Sequence, residues 1–519
     1  MDRGRSTYGR ARRRVLLAAT LAAALVMAAP TAAAAPEDDA ARLFDRISDN
    51  PVLLRIFLRE MPKGGDLHIH SSGTPYAEEF LAWASERDFC IDPARKAVIP
   101  PPCTEPQSYP AKGLMRTNPG LYADVVNAMS VREILSGVDV GQSGHNQFFE
   151  SFENFGAISE IEPARVVASA MRAAAEDAVS YLELMDNPRV INTSALTIRD
   201  AEWNGEFEAA FARLAPEIPG LVAAAIAETD VTEAEARRLL GCDSAKADPG
   251  CDVVLYYNGY GLRLIPTDQL FRQLALSFAL IEADSRFVGI SLVQPEDDPI
   301  AIADYDLHMR MIAFLSGKYP SARISLHAGE LTIGLAPAYS MRRHIADAIE
   351  IAGSERIGHG VDIAFELESR ETLARMAREG IAVEINLSSN DVILGVKGQF
   401  HPLNLYRASG VPFVLSTDDE GVLRTDMTEQ YVRAAHEHGL SYRDLKQAAR
   451  NSLHFSFLPG ASLWESGKVG RPVKACRKLN SPTCKRAIAG STKAQLQLQL
   501  ERDLDAFERD IRNWSPKLP

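Results

Sequence analysis

The sequence predicts an α/β fold: a (β/α)8 barrel with inserted loops and a C-terminal helical extension. Two observations carry this expectation. Eight short apolar or alternating runs recur along the chain with helical patterns between them, the signature of parallel strands joined by crossover helices. Histidines and carboxylates gather at the C-terminal ends of those runs, which is where such a barrel builds its sites.

The expected elements follow in order. "APEDDAARLFDRISDNPVLLRIFLREMP" reads as a linker and then a helix that stops at Pro62. The strand-like runs are "DLHIH" (66–70), "SYLELM" (180–185), "DVVLYYNGYGLRLI" (252–265) and "FVGISLV" (287–293). They continue with "RISLHAG" (323–329), "RIGHGVDI" (356–363), "IAVEINLS" (381–388) and "VPFVLST" (411–417). Helical patterns cover 163–178, 266–285 and 369–380. Residues 86–120, with Pro-Pro-Pro at 100–102, and residues 241–251 read as inserted loops. A last helix places Leu500, Leu504, Phe507, Ile511 and Trp514 on one stripe, which predicts a helix packed on the barrel. The organisation read from this is a leader over 1–35, the barrel over 36–460 and an extension over 461–519.

Composition narrows the function. The chain has 46% hydrophobic and 24% charged residues and a formal charge of -13. Residues 1–35 hold six Arg and one Asp, so without them 56 basic and 69 acidic residues become 50 and 68, a net of -18. That balance argues against a nucleic-acid partner and for a small-molecule substrate. "RGRSTYGRARRR" followed by "VLLAATLAAALVMAA" and "TAAAA" reads as a cleaved signal peptide, so the expected location is secreted or periplasmic. The rest of the chain offers no stretch of membrane-spanning length and apolarity. Six cysteines in an exported chain suit disulfides and admit 15 pairings. Pairing of close neighbours, Cys90–Cys103, Cys242–Cys251 and Cys476–Cys484, is the expectation, with free thiols as the alternative.

The chemistry sits at four strand ends. His68 and His70 close the first run, and residues i and i+2 of a strand share a face. His327 closes the fifth, His359 the sixth, and Asp418 and Asp419 the eighth; Glu330 follows His327 by three residues. Three imidazoles, a carboxylate and an open position are the donor set of a catalytic zinc ion, so one Zn2+ per chain is expected. Glu330 has the position of a proton donor, His359 of a group that steers or deprotonates water, and Asp419 of a contact to a substrate heteroatom. His308, His344, His436 and His438 fall in helical patterns and read as packing or surface residues; His145 and His401 read as loop residues.

In this order, "MPKGGDLHIH", "SLHAGE", "RIGHG", "EINLSSN" and "LSTDDEG" resemble the adenosine deaminase family, including its secreted growth-factor-like branch, over about residues 58–458. The resemblance implies hydrolytic deamination of adenosine or 2′-deoxyadenosine to the inosine product plus ammonia. It implies that His68, His70, His327 and Asp418 bind zinc, that Glu330 protonates purine N1, that His359 orients water and that Asp419 contacts N7. Ser72, Gly329 and Gln294 fall where relatives meet the substrate, and Ser388 and Ser389 fall in a segment near the site.

The chain departs from the family pattern in places. Ser72 stands where many relatives have an acid, Val293–Gln294 where Ala-Gly is common, and Asp-Asp-Glu where Asp-Asp-Pro is frequent. These changes touch substrate recognition, so adenine or another 6-aminopurine stays open. Two rivals remain. One is an amidohydrolase-type hydrolase, which would often carry a bridging lysine at a strand end. The other is a secreted binding protein without activity, in which Glu330, His359 and Asp419 would be the first residues eroded.

Overall fold

In the computed structural model, residues 35–138 and 141–514 are described. Eight strands form one sheet in sequential order: β1 (Gly64–His70), β2 (Val179–Met185), β3 (Val254–Leu262), β4 (Phe287–Val293), β5 (Arg323–Ala328), β6 (Arg356–His359), β7 (Ala382–Ile385) and β8 (Phe413–Leu415). All neighbours pair parallel. A parallel bridge between Ile69 and Asp418 joins the last strand's end back to the first. The result is the expected (β/α)8 barrel.

Parallel strands covered on both faces read as continuous apolar runs. β4, "FVGISLV", is buried at every position. The crossover helix Thr267–Ala283 carries apolar residues around most of its girth and is buried along fourteen of its seventeen residues. Helices Pro163–Glu176 and Ser369–Glu379 occupy the segments where helical patterns were read. Pro36–Ile47 and Pro51–Arg59 are two helices rather than a linker and one helix. Asn50 separates them and caps the second, accepting from the N–H groups of Val52 and Leu53.

The 86–120 region is more ordered than a loop. Cys90–Asp92, Ala97–Ile99 and Tyr109–Pro110 make a three-stranded antiparallel sheet. Strands of two or three residues are too short to show a period of two in sequence. Disulfides join Cys90–Cys103, Cys242–Cys251 and Cys476–Cys484. In the final helix, Thr492–Ile511, the residues Leu500, Leu504, Phe507 and Ile511 are buried in the main core beside Phe44 and Phe57. The residues of the expected leader, 1–34, lie outside the described residues. Among the described residues no single helix is long and apolar enough to cross a membrane.

Candidate metal centre and active site

Strand ends bring the predicted residues together. His68 and His70 point from one face of β1, His327 from the end of β5, and Asp418 from just beyond β8. His68 Nε2 and His327 Nε2 lie 3.1 Å apart, and His70 Nε2 and His327 Nε2 lie 3.2 Å apart. Asp418 Oδ1 is 3.4 Å from His68 Nε2 and 3.1 Å from His70 Nε2. A tetrahedral ion with metal–nitrogen bonds of about 2.0–2.1 Å separates its ligands by about 3.3 Å. The four neighbouring separations, 3.1–3.4 Å, are close to that spacing.

The donor chemistry fits a cation as well. His68 Nδ1–H donates to Glu384 at 2.8 Å, which leaves the Nε2 lone pair facing the cluster. His327 Nδ1 meets the Ser291 hydroxyl at 3.0 Å, which likewise frees its Nε2. Lone pairs crowded at about 3 Å repel unless a positive charge lies among them. His359 also reaches this cluster, its Nε2 3.9 Å from Asp418 Oδ2.

Backbone strain marks the same places. His359 and Asp418 have φ of +65° and +66°, in the left-handed region that side chains with a Cβ rarely adopt. Asp418 is held there because its N–H donates to the His68 carbonyl and its own carbonyl accepts from the His70 N–H.

The acid–base candidates surround the cluster. Glu330 is buried, with Oε1 3.5 Å from His359 Nδ1. Burial, then the nearby Asp418 and Glu296, push its carboxyl well above the usual range. Burial and the adjoining Asp418 raise Asp419 in the same way, and its Oδ1 has no hydrogen-bond partner among the described residues. Burial keeps His359 neutral, down to about 3. Asn390 Nδ2 lies 2.9 Å from His359 Nδ1, and Asn390 Oδ1 lies 3.0 Å from His401 Nε2. His401 thus sits behind His359 rather than beside the mouth.

The remaining candidates divide. Ser72 lines a cleft together with Ser71, whose hydroxyl donates to Asp186 at 2.7 Å; the metal-site residues do not line it. Gly329 turns at φ +77°, and a Cβ there would meet Asp362 Oδ1 at 2.4 Å, so this position requires glycine. Gln294 spends its side-chain oxygen on the Leu264 N–H. Ser388 bonds Gln430 and Thr425, and the buried Ser389 hydroxyl has no partner among the described residues. His145 lies on the helix Gly144–Ser159, 3.0 Å from Asp297.

Sequence reasoning missed the support beneath the ligands. Glu384, on β7, accepts from His68, Ser325 Oγ at 2.7 Å and Arg356 Nε. Burial pushes its carboxyl up, but Arg356 and His68 outweigh this and hold it at about 2. Arg356 continues to Glu183 at 2.6 Å, which also accepts from Tyr181 and Asn258. The available signal was a charged residue in an otherwise apolar strand, as in "AVEI".

Comparison with known proteins follows the same lines. Residues 264–463 match the sequence profile of the family described as adenosine deaminase. Adenosine deaminase of Clostridium perfringens is 31% identical over 136 residues, and that of Escherichia coli 35% over 136 residues; each alignment covers 26% of this chain and 38% of the relative. The chain thus matches well under half of these relatives' length. Among solved structures, Arabidopsis ADAL complexed with IMP superposes with a TM-score of 0.52 at 17% identity, covering 87% of this chain and 99% of that one. At that identity the likeness speaks to the fold.

Proposed function

With residues 264–463 placed in the adenosine deaminase family, we propose that this chain is an exported, zinc-dependent deaminase of 6-aminopurine nucleosides. The observation that carries this is the joint placement of His68, His70, His327 and Asp418, with neighbouring donor atoms 3.1–3.4 Å apart, beside a buried Glu330 whose carboxyl is pushed up by burial and by Asp418. The reaction replaces the C6 amino group with the oxygen of water and releases ammonia. A zinc ion, when bound, supplies Lewis acidity that makes water a nucleophile near neutral pH.

The chain's own residues do the rest. Burial and Asp418 push the Glu330 carboxyl up, which favours the form that can give its proton to N1 and make C6 electrophilic. Asp419, its carboxyl also pushed up by burial and Asp418, can donate to N7 when it carries its proton. His359 is neutral, and with Asn390 at Nδ1 its Nε2 edge faces the site and steers the water. One proton of the water passes to the departing amino group, which leaves as ammonia, and the other returns to Glu330 as the C6–O bond becomes a carbonyl.

A cleft that starts beside His70 supports a nucleoside over a nucleotide. The cleft beginning at Ser71 and Ser72 carries Glu160, Asp186 and Glu228. Its one arginine, Arg189, stands 4.0 Å from Glu228. Such a lining disfavours a phosphate and accepts hydroxyl groups. Ammonia release from adenosine, 2′-deoxyadenosine, adenine and AMP by the zinc-loaded protein tests the reading. Turnover of a nucleoside ahead of AMP is expected; a zinc-loaded protein that releases ammonia from none of them would overturn it.

A further inference from the structure

The backbone ladder between β4 and β5 stops short of the site. β4 and β5 pair at two registers, Gly289 with Arg323 and Ile290 with Ile324. Beyond these, towards His327, the strands part. Carbonyls at the end of a parted pair need other donors, since a buried unpaired carbonyl is costly.

Arg263 supplies them. It is the first residue after β3 and is 1% exposed. Its Nη2 donates to the Leu292 carbonyl at 3.0 Å and to the His327 carbonyl at 3.2 Å, one on each side of the seam. Its Nη1 lies 3.9 Å from Glu296 Oε2. Among the described residues Arg263 Nε and Nη1 have no hydrogen-bond partner. A cation is thus kept in the interior for two backbone contacts and one carboxylate.

Glu296 does the matching work one turn on. Its oxygens accept from the Gly329 N–H at 3.1 Å and the Glu330 N–H at 2.8 Å. His344 Nδ1–H donates to it at 2.6 Å, and the His344 ring stacks on Tyr305 with centroids 3.7 Å apart. The seam therefore has two fasteners, one on the backbone of a proposed metal ligand and one on the backbone of the proposed acid.

We infer that Arg263 and Glu296 are positioning residues: Arg263 closes the β4–β5 seam and fixes His327 for zinc, while Glu296 fixes the Gly329–Glu330 turn for proton transfer. Both halves rest on the zinc site of the reading above; only the second also rests on deamination. The two halves predict different losses. Removing Arg263 frees His327 and weakens zinc binding. Removing a charge-matched oxygen from Glu296 leaves the zinc ligands in place and shifts Glu330.

The test is zinc competition against a chelator, run beside steady-state kinetics, on the full chain and on Arg263→Met, Arg263→Lys and Glu296→Gln. Arg263→Met should lose about 10- to 100-fold in zinc affinity, the range seen when support behind a ligand is removed. Arg263→Lys, which keeps the charge but not the forked donors, should fall between it and wild type, and it decides the case if Arg263→Met does not fold. Glu296→Gln should hold zinc like wild type and lower kcat at least 10-fold with KM little changed. Wild-type zinc affinity in both Arg263 variants overturns the seam role. Unchanged kcat in Glu296→Gln overturns the second role. Absence of deamination by the wild type would remove the reading above, while the zinc competition would still judge Arg263.

Discussion

The N–H of Asp418 donates to the carbonyl of His68 at 2.9 Å, so the barrel closes through the backbone of two proposed metal ligands. Closure and ligand assembly are the same event. Stability and metal occupancy should then move together. Thermal unfolding followed by circular dichroism should show a melting temperature that rises with free zinc and falls on chelation. At about 100 times Kd the ion adds about 2.7 kcal/mol to the folded state. A melting temperature indifferent to zinc would contradict this coupling.

Glu384 ties His68 to Arg356. In Glu384→Ala, Arg356 would keep Glu183 but lose its second carboxylate, and His68 would lose its Nδ1 acceptor. Breaking a buried charge network from one side costs about 3–5 kcal/mol. Urea denaturation should read that loss, and chelator competition should read weaker zinc retention.

Glu330→Gln keeps the shape of the side chain but cannot give up a proton to N1. Turnover should fall by about 10^2- to 10^4-fold, with zinc content and melting temperature unchanged. Retained activity would move the proton-donor role elsewhere, with Asp419 the next group to test.

Gly329→Ala puts a methyl group 2.4 Å from Asp362 Oδ1 at a backbone φ of +77°. The left-handed conformation alone costs about 1–2 kcal/mol for a residue with a Cβ, and the contact adds to it. Both stability and kcat should drop, since Glu330 is the next residue.

Acid should unfold the protein through its buried histidines. Burial, and then Arg263, lower His308 to about 4, and burial, then His438 and Arg433, lower His401 to about 3. The unfolded chain binds these protons near 6.5. Their contribution to stability is therefore complete above that pH. It is lost as pH falls, from about 6.5 to 4 for His308 and to 3 for His401. At pH 5 the His308 loss is about 2 kcal/mol. Urea midpoints at pH 7 and pH 5 should show it, and His308→Leu should flatten the slope.

What could be read from the sequence was what repeats or clusters. Eight strands showed as apolar runs, because both faces of such strands are covered. The residues of the centre showed because two histidines share a face on β1 and the others end their own strands. The support was hidden for physical reasons. Glu384 and Arg356 occupy interior positions that apolar periodicity treats as core. His401 reads as a loop residue, and only the fold brings it to Asn390 and so to His359. Arg263 falls inside the run read as a strand over 252–265, and only the fold shows that it fills a seam between two other strands. The three-stranded sheet near Cys90 lacked the length for any period.

Asp66 accepts from the Thr417 hydroxyl at 2.6 Å, and these residues stand 351 positions apart. The loop that such a contact closes is most of the chain. During synthesis nothing that ends before residue 418 carries the complete donor set, however well its earlier strands have folded. A truncated or prematurely halted product would be an inert half-shell, unable to sequester the ion. The molecule's capacity for chemistry thus arrives late and all at once.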